Sequence, residues 1–166
     1  MSERRRASNA TPALVHLAKA GIDVVVHEFD PGASEAGLGY GRAAALALGV
    51  DEHIVFKTLL ASVDGSPTVA VVPVAGNLSL KDLASATGGK KASMLDVATA
   101  QRITGYVVGG ISPFGQRRRL PTVLDESALE HRTILVSAGR RGLDVELPPA
   151  ALIDLLDAVV APLRAT

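Results

Sequence analysis

The hydrophobic pattern of this chain changes period repeatedly. Leu14, Leu17 and Ala18 are spaced as on a helix, with Thr11 as a cap, Pro12 in the first turn and Gly21 as a stop. Residues 22–29 read as a strand and 30–39 as a loop. Residues 42–48, followed by Gly49, read as a second helix. Two apolar runs, 54–63 and 67–74, flank Asp64-Gly65-Ser66 and predict a hairpin. Ser79 caps a predicted helix over 80–87 that Gly88-Gly89 ends. Residues 96–103 predict another helix and 106–108 another strand. After a glycine-rich loop come residues 122–124, a helical turn near 126–131, strands over 133–137 and 143–147, and a terminal helix over 148–160. Strands and helices alternate irregularly, and the first strand-to-helix loop lacks a dinucleotide fingerprint. The pattern predicts an α+β fold with a mixed, partly closed, barrel-like sheet and helices packed outside it.

With 166 residues, the chain has room for one domain with a real core. We expect residues 1–10 to be a flexible N-terminal segment and 11–166 to form that domain. Aromatic residues are 3% of the chain, so Val, Leu, Ile and Ala must fill the interior. No apolar run approaches the roughly 20 residues that span a bilayer, and the first residues have charge without a signal peptide's apolar stretch. No membrane association and a cytoplasmic location are expected. The absence of cysteine excludes disulfides, thiolate nucleophiles and thiolate metal sites.

The net charge is zero, yet ten of the 17 Lys and Arg fall in four clusters: Arg4 to Arg6, Lys90 with Lys91, Arg117 to Arg119, and Arg140 with Arg141. Brought together they would make a basic surface able to hold phosphates; left apart they are solvated loop ends.

Several familiar sites fail on inspection. Gly37-Leu38-Gly39-Tyr40-Gly41 places its third glycine too early for a dinucleotide loop, and Gly89-Lys90 lacks the remainder of a P-loop. Ser112 is followed by Pro113 where a nucleophile elbow would begin a helix. His16, His27, His53 and His131 show no ligand spacing, so neither a metal nor a cofactor is expected. Two features remain. Lys57 shares a strand face with Val55, Leu59, Ala61 and Val63, so it must either snorkel to solvent or meet an anion in a pocket. Gly109-Gly110-Ile111-Ser112-Pro113-Phe114-Gly115 has the composition of a shaped loop that lets backbone come close to something. Ser137 to Asp144, with two arginines between glycines, could be an ordinary hairpin.

Three segments together resemble, in order and spacing, the YbaK-type Cys-tRNA(Pro) deacylases. They are Val55-Phe56-Lys57-Thr58-Leu59, the run from Thr104 through Gly109-Gly110-Ile111-Ser112-Pro113 to Gln116, and Ser137-Ala138-Gly139-Arg140-Arg141-Gly142-Leu143-Asp144. The likeness extends over nearly the whole chain from Thr11. It implies a barrel-like mixed sheet and a free-standing enzyme acting on the aminoacyl ester at a tRNA 3′ end. The substrate would be Cys-tRNA(Pro), with prolyl-tRNA synthetase as a possible partner. In this family the substrate's own thiol attacks its ester, so the protein needs no strong nucleophile; orientation alone can contribute about 7 to 11 kcal/mol. Carried over, Lys57, Gly109, Gly110, Ser137 and Asp144 would be the catalytic set. Lys57 would anchor the terminal phosphate or ribose, the two glycine amides would face the ester oxygen, and Ser137 and Asp144 would position the amino acid. Phe29, Thr58, Ile111, Ser112, Pro113 and Gly139 would line the substrate site. Lys90, Lys91, Arg117, Arg118, Arg119, Arg140 and Arg141 would meet the tRNA backbone. The family commonly has a pocket-facing tyrosine where this chain has Phe29, which cannot donate a hydrogen bond. Hydrolysis of Ala-tRNA(Pro) on the same fold, and a non-catalytic tRNA-end or synthetase-binding module, are the alternatives.

Overall fold

The computed structural model describes residues 10–32 and 39–165. The Arg4–Arg6 cluster and the expected flexibility of the first residues fall outside this range, apart from residue 10. The elements are α1 (Pro12–Lys19), β1 (Val25–Glu28), α2 (Tyr40–Leu48), a 3-10 turn (Glu52–Ile54), β2 (Phe56–Val63), β3 (Ser66–Pro73) and α3 (Leu80–Ala86). They continue with β4 (Ala92–Met94), α4 (Val97–Thr104), β5 (Thr122–Asp125), a second 3-10 turn (Glu126–Glu130), β6 (Ile134–Arg140), β7 (Leu143–Leu147), α5 (Pro149–Leu156) and β8 (Val159–Ala161).

Two sheets form, with strand orders β1-β7-β6 and β4-β2-β3-β5-β8. β2 pairs antiparallel with β3 and β4, while β5 is parallel to both β3 and β8, so the larger sheet is mixed. A single parallel bridge, Val55 to Leu135, joins the two sheets, which gives an open rather than a closed barrel. Their facing sides enclose the main core: Phe56, Leu60 and Val71 from one sheet meet Val136, Leu143 and Val145 from the other, with Phe114 inserted among them. The opposite face of the larger sheet packs Ala61, Val72 and Val123 against Leu83 of α3. Burying these aliphatic side chains stabilises the fold by ~1.5 to 3 kcal/mol each before entropy is counted. No helix among the described residues is long and apolar enough to cross a membrane.

The local signals act as the sequence suggests. Thr11 and Ser79 each accept a hydrogen bond from a first-turn N–H, and Asp64-Gly65, both at positive φ, make the tight turn between β2 and β3; Asp96, expected as the first helical residue, is instead the cap of α4. The differences have identifiable causes. The first strand is confined to Val25–Glu28 at a sheet edge. Residues 106–108 are not a strand. Tyr106 is buried and its hydroxyl donates to Phe114 O at 2.6 Å, anchoring the glycine loop, while Val107 and Val108 are exposed. The last helix stops at Leu156 because Asp157 turns left-handed at φ +53, which frees Val159–Ala161 to pair with β5. The short strand β4 carries no pattern of its own and is fixed by its pairing with β2.

Candidate functional site

One pocket of about 210 Å³ gathers residues from five places in the chain: Phe29, the start of α2, the start of β2, the glycine loop, and Ser137 with Asp144. Its β2 wall exposes main chain. Val74 N–H donates to Val55 O at 2.8 Å. Ladder alternation then pairs Lys57 with Val72 and Leu59 with Ala70, so the polar groups of Thr58 turn to the other edge. There Leu60 O accepts from Leu95 N at 3.1 Å, and β4 begins pairing only at Ala61. Between that pairing and the Val55–Leu135 bridge no strand among the described residues pairs with Thr58, which lines the pocket.

Lys57 is half-buried on this wall, and among the described residues no carboxylate pairs with it. Loss of water around its ammonium, and secondarily the positive charge of Arg42, hold its pKa below the usual lysine range. Arg42 itself pairs with Glu52 at 3.4 Å. Thr58 also lines the pocket, but its Oγ1 is buried without a hydrogen-bond partner.

Ser137 and Asp144 face each other across the β6–β7 ladder. Beyond Ser137 the register slips. Gly139 sits at φ +108 and its N–H donates to Ser137 Oγ at 3.2 Å, leaving the serine proton available to the pocket. Asp144 is 6% exposed, and among the described residues its carboxylate accepts no hydrogen bond. Burial pushes its pKa up from 3.8 to about 6, against a smaller opposing pull from His27, its cross-strand neighbour. His27 is held in turn by Glu146 at 2.8 Å.

The glycine loop divides its work. Gly109 lines the pocket at φ +87, and a Cβ there would lie 2.7 Å from the Tyr40 ring. Gly110 is set differently from expectation: its N–H is spent on Val107 O at 2.9 Å, and a Cβ would lie 2.7 Å from Arg140 Cα. It lets the loop pack on the β6–β7 turn and offers no amide to a ligand. Ile111 lines the pocket. Ser112 does not, since it is fully buried and its Oγ accepts from Phe114 N at 3.2 Å. Pro113 lies on the far side of the loop. Gly139 packs against Tyr106 and Thr11 rather than in the pocket.

Among the described residues the basic clusters are not brought together. Arg141 stands at the pocket mouth with its guanidinium 4.6 Å from the Tyr40 ring centroid, and its Nε–H donates to Val108 O at 2.9 Å. Arg140 pairs with Glu28 at 3.7 Å. Arg118 and Arg119 border a second depression beyond Pro113, and Arg117 lies over Gly105. Lys90 and Lys91 donate their main-chain N–H groups to Asp64 at the opposite end of β2, about 23 Å along the strand from Lys57.

Sequence reasoning missed Tyr40, Gly41 and Ala44, which bring α2 to the pocket. A Cβ on Gly41 would lie 2.2 Å from Val74 Cγ1, so this glycine is what lets the helix start against the end of β3. Among the described residues no three His, Asp or Glu are grouped to hold a metal ion.

One cavity within this α+β fold of two bridged sheets thus gathers an ammonium with no carboxylate partner among the described residues, a desolvated carboxylate and the Thr58 segment of β2. Solved structures share that fold. One of a trans-editing enzyme for prolyl tRNA synthetase, so named by inference, matches with a TM-score of 0.80 at 23% identity over 100% of this chain and 99% of that one. One of a hypothetical protein matches at 0.81 and 24%, over 93% and 100%. EbsC of Enterococcus faecalis, named for an inferred Cys-tRNA(Pro)/Cys-tRNA(Cys) deacylase activity, is 42% identical over 115 residues, 69% of this chain and 70% of EbsC. Residues 41–155 match the aminoacyl-tRNA editing domain, and the chain belongs to that family.

Proposed function

We propose that this protein removes cysteine from mischarged Cys-tRNA(Pro) in trans, as the name of its Enterococcus faecalis relative suggests for that protein. The observation that carries the reading is the presence in one cavity of a Lys57 ammonium and a buried Asp144 carboxylate, neither of which has a hydrogen-bond or ion-pair partner among the described residues. An aminoacyl-adenosine offers the complement of both: phosphate or ribose oxygens for Lys57, and a substrate ammonium for Asp144. Ser137 donates beside Asp144, the Thr58 edge offers main-chain groups to the ribose or base, and Gly109 brings backbone to the ester. Phe29 and Ile111 supply apolar wall.

In this mechanism the substrate sulfur attacks its own ester carbonyl. A carbon–sulfur bond forms, the carbon–oxygen bond to the ribose breaks, and the thiol proton ends on the released ribose hydroxyl, giving cysteine thiolactone and free tRNA. The protein's contribution is orientation and charge placement. Arg140 and Arg141 lie on the path of the acceptor strand at the mouth. Lys90 and Lys91 can reach tRNA only well away from the 3′ end. A partnership with prolyl-tRNA synthetase would supply tRNA selection, and a cytoplasmic location follows from the substrate.

The test is a deacylation panel with Cys-, Ala-, Ser- and Pro-charged tRNA(Pro). Cysteine should be released as thiolactone, with serine retained although it differs by one atom. Equal release of serine or alanine would refute attack by the substrate thiol.

A further inference from the structure

The second depression, about 200 Å³ on the far side of the glycine loop, is lined by His16, Arg118, Arg119, Gln116 and Gly115 among others, and by no carboxylate. Its cations are unspent. Arg42, Arg140 and Arg164 each pair with an acid, whereas among the described residues neither Arg118 nor Arg119 does. Asp157 borders the adjoining depression beside Arg119 without pairing with it. The histidine is held as a donor. Gly115 N–H donates to His16 Nδ1 at 2.9 Å, which places the ring proton on Nε2. The floor is rigid: Gly115 sits at φ +66 with Pro12 backbone 2.4 Å from where a Cβ would be, and Gln116 is tied to Ser112 O at 2.9 Å. Two guanidinium groups and one oriented N–H around a small hollow match the oxygens of a phosphate.

We infer that this depression is a phosphate-binding subsite that grips an RNA backbone phosphodiester while the 3′ end occupies the Lys57 pocket. Ile111 lines one site and Pro113 the other. Two residues apart, their Cα atoms are separated by at most about 7 Å, so a strand crossing the loop reaches both. The inference rests on the proposed function for its ligand, RNA, but not for its anion chemistry.

The experiment uses the whole protein and its R118Q/R119Q variant, both changes lying on exposed side chains. Binding of an uncharged CCA-ended RNA minihelix is followed by anisotropy across a salt series. Deacylation is measured on Cys-charged minihelix and on cysteinyl-adenosine, which has no phosphate. The variant should bind the minihelix about tenfold more weakly, with the slope of log Kd against log salt shallower by about 0.7 to 1.8. It should lose kcat/KM on the minihelix and keep it on cysteinyl-adenosine. An unchanged slope overturns the inference. So does a shift of the Gly115 amide resonance with inorganic phosphate that the variant abolishes while minihelix binding stays the same, since that would mark a small-anion site. If wild type deacylates neither substrate, the proposed function fails, and the salt slope still judges the subsite.

Discussion

Replacing Asp144 by Asn should stabilise the protein while disabling it. The carboxylate is 6% exposed, accepts no hydrogen bond from the described residues, and has its pKa raised from 3.8 to about 6 by burial. A folded-state pKa above the unfolded one means that the native state holds the proton more tightly. Stability from this group is therefore fully present below pH 3.8, declines as pH rises to about 6, and stays low beyond. The difference of roughly 2 pH units corresponds to about 3 kcal/mol. The amide keeps the shape but brings its own burial cost, so Asp144→Asn should gain ~1 to 3 kcal/mol at neutral pH and little or nothing in acid. Urea unfolding of both proteins across pH measures this. Glu146, whose pKa is lowered first by Thr133 and then by His27, runs the opposite way and loses stability as pH falls. It is present in both proteins, so the difference between them isolates Asp144 apart from the altered field at His27. Deacylation by the variant should be abolished, because the substrate ammonium loses its counter-charge. A variant less stable than wild type at neutral pH, or a stability difference that does not change with pH, would mean that the carboxylate has partners in the native state and would refute the reasoning.

Lys57→Ala should abolish deacylation with no loss of stability, since the ammonium is partly desolvated and has no carboxylate partner among the described residues; single-turnover assays and thermal melts check the two halves, and retained turnover would remove Lys57 from the site. Gly109→Ala combines a left-handed backbone with a contact at 2.7 Å to the Tyr40 ring and should cost about 1 to 3 kcal/mol in urea unfolding. Adding Tyr40→Ala should return the steric part and leave the backbone strain, whereas purely additive losses would place the clash elsewhere.

Much of this architecture is local and therefore legible. The hairpin was announced by Asp64-Gly65 between two apolar runs, and two helix starts by the capping residues Thr11 and Ser79. Lys57 stood out because period-two alternation put a charge among aliphatic neighbours, and among the described residues no carboxylate pairs with it. The edge of the larger sheet was hidden for the opposite reason. β4 and β8 are three residues each and exist through pairings with β2 and β5, so no window of sequence contains their cause. Tyr106–Val108 looked like a strand because apolar content was legible and the destination of the tyrosine hydroxyl was not.

The glycine loop shows where composition stops informing chemistry. Glycine permits a close approach, but the sequence does not say what approaches. In Gly110 the neighbour is the Arg140 backbone and in Gly115 it is Pro12; only Gly109 of these three lines the Lys57 pocket. The loop is thus chiefly a wedge, fitted against α1 and the β6–β7 turn so that it stands as a fixed wall between two cavities. A ligand-binding loop built from glycine needs such anchoring, because a flexible one would have to be ordered by the substrate at a cost of about 1 to 2 kcal/mol per residue. Packing glycines and a ligand-facing glycine therefore belong to one device: Gly110 and Gly115 hold rigid the backbone that Gly109 presents.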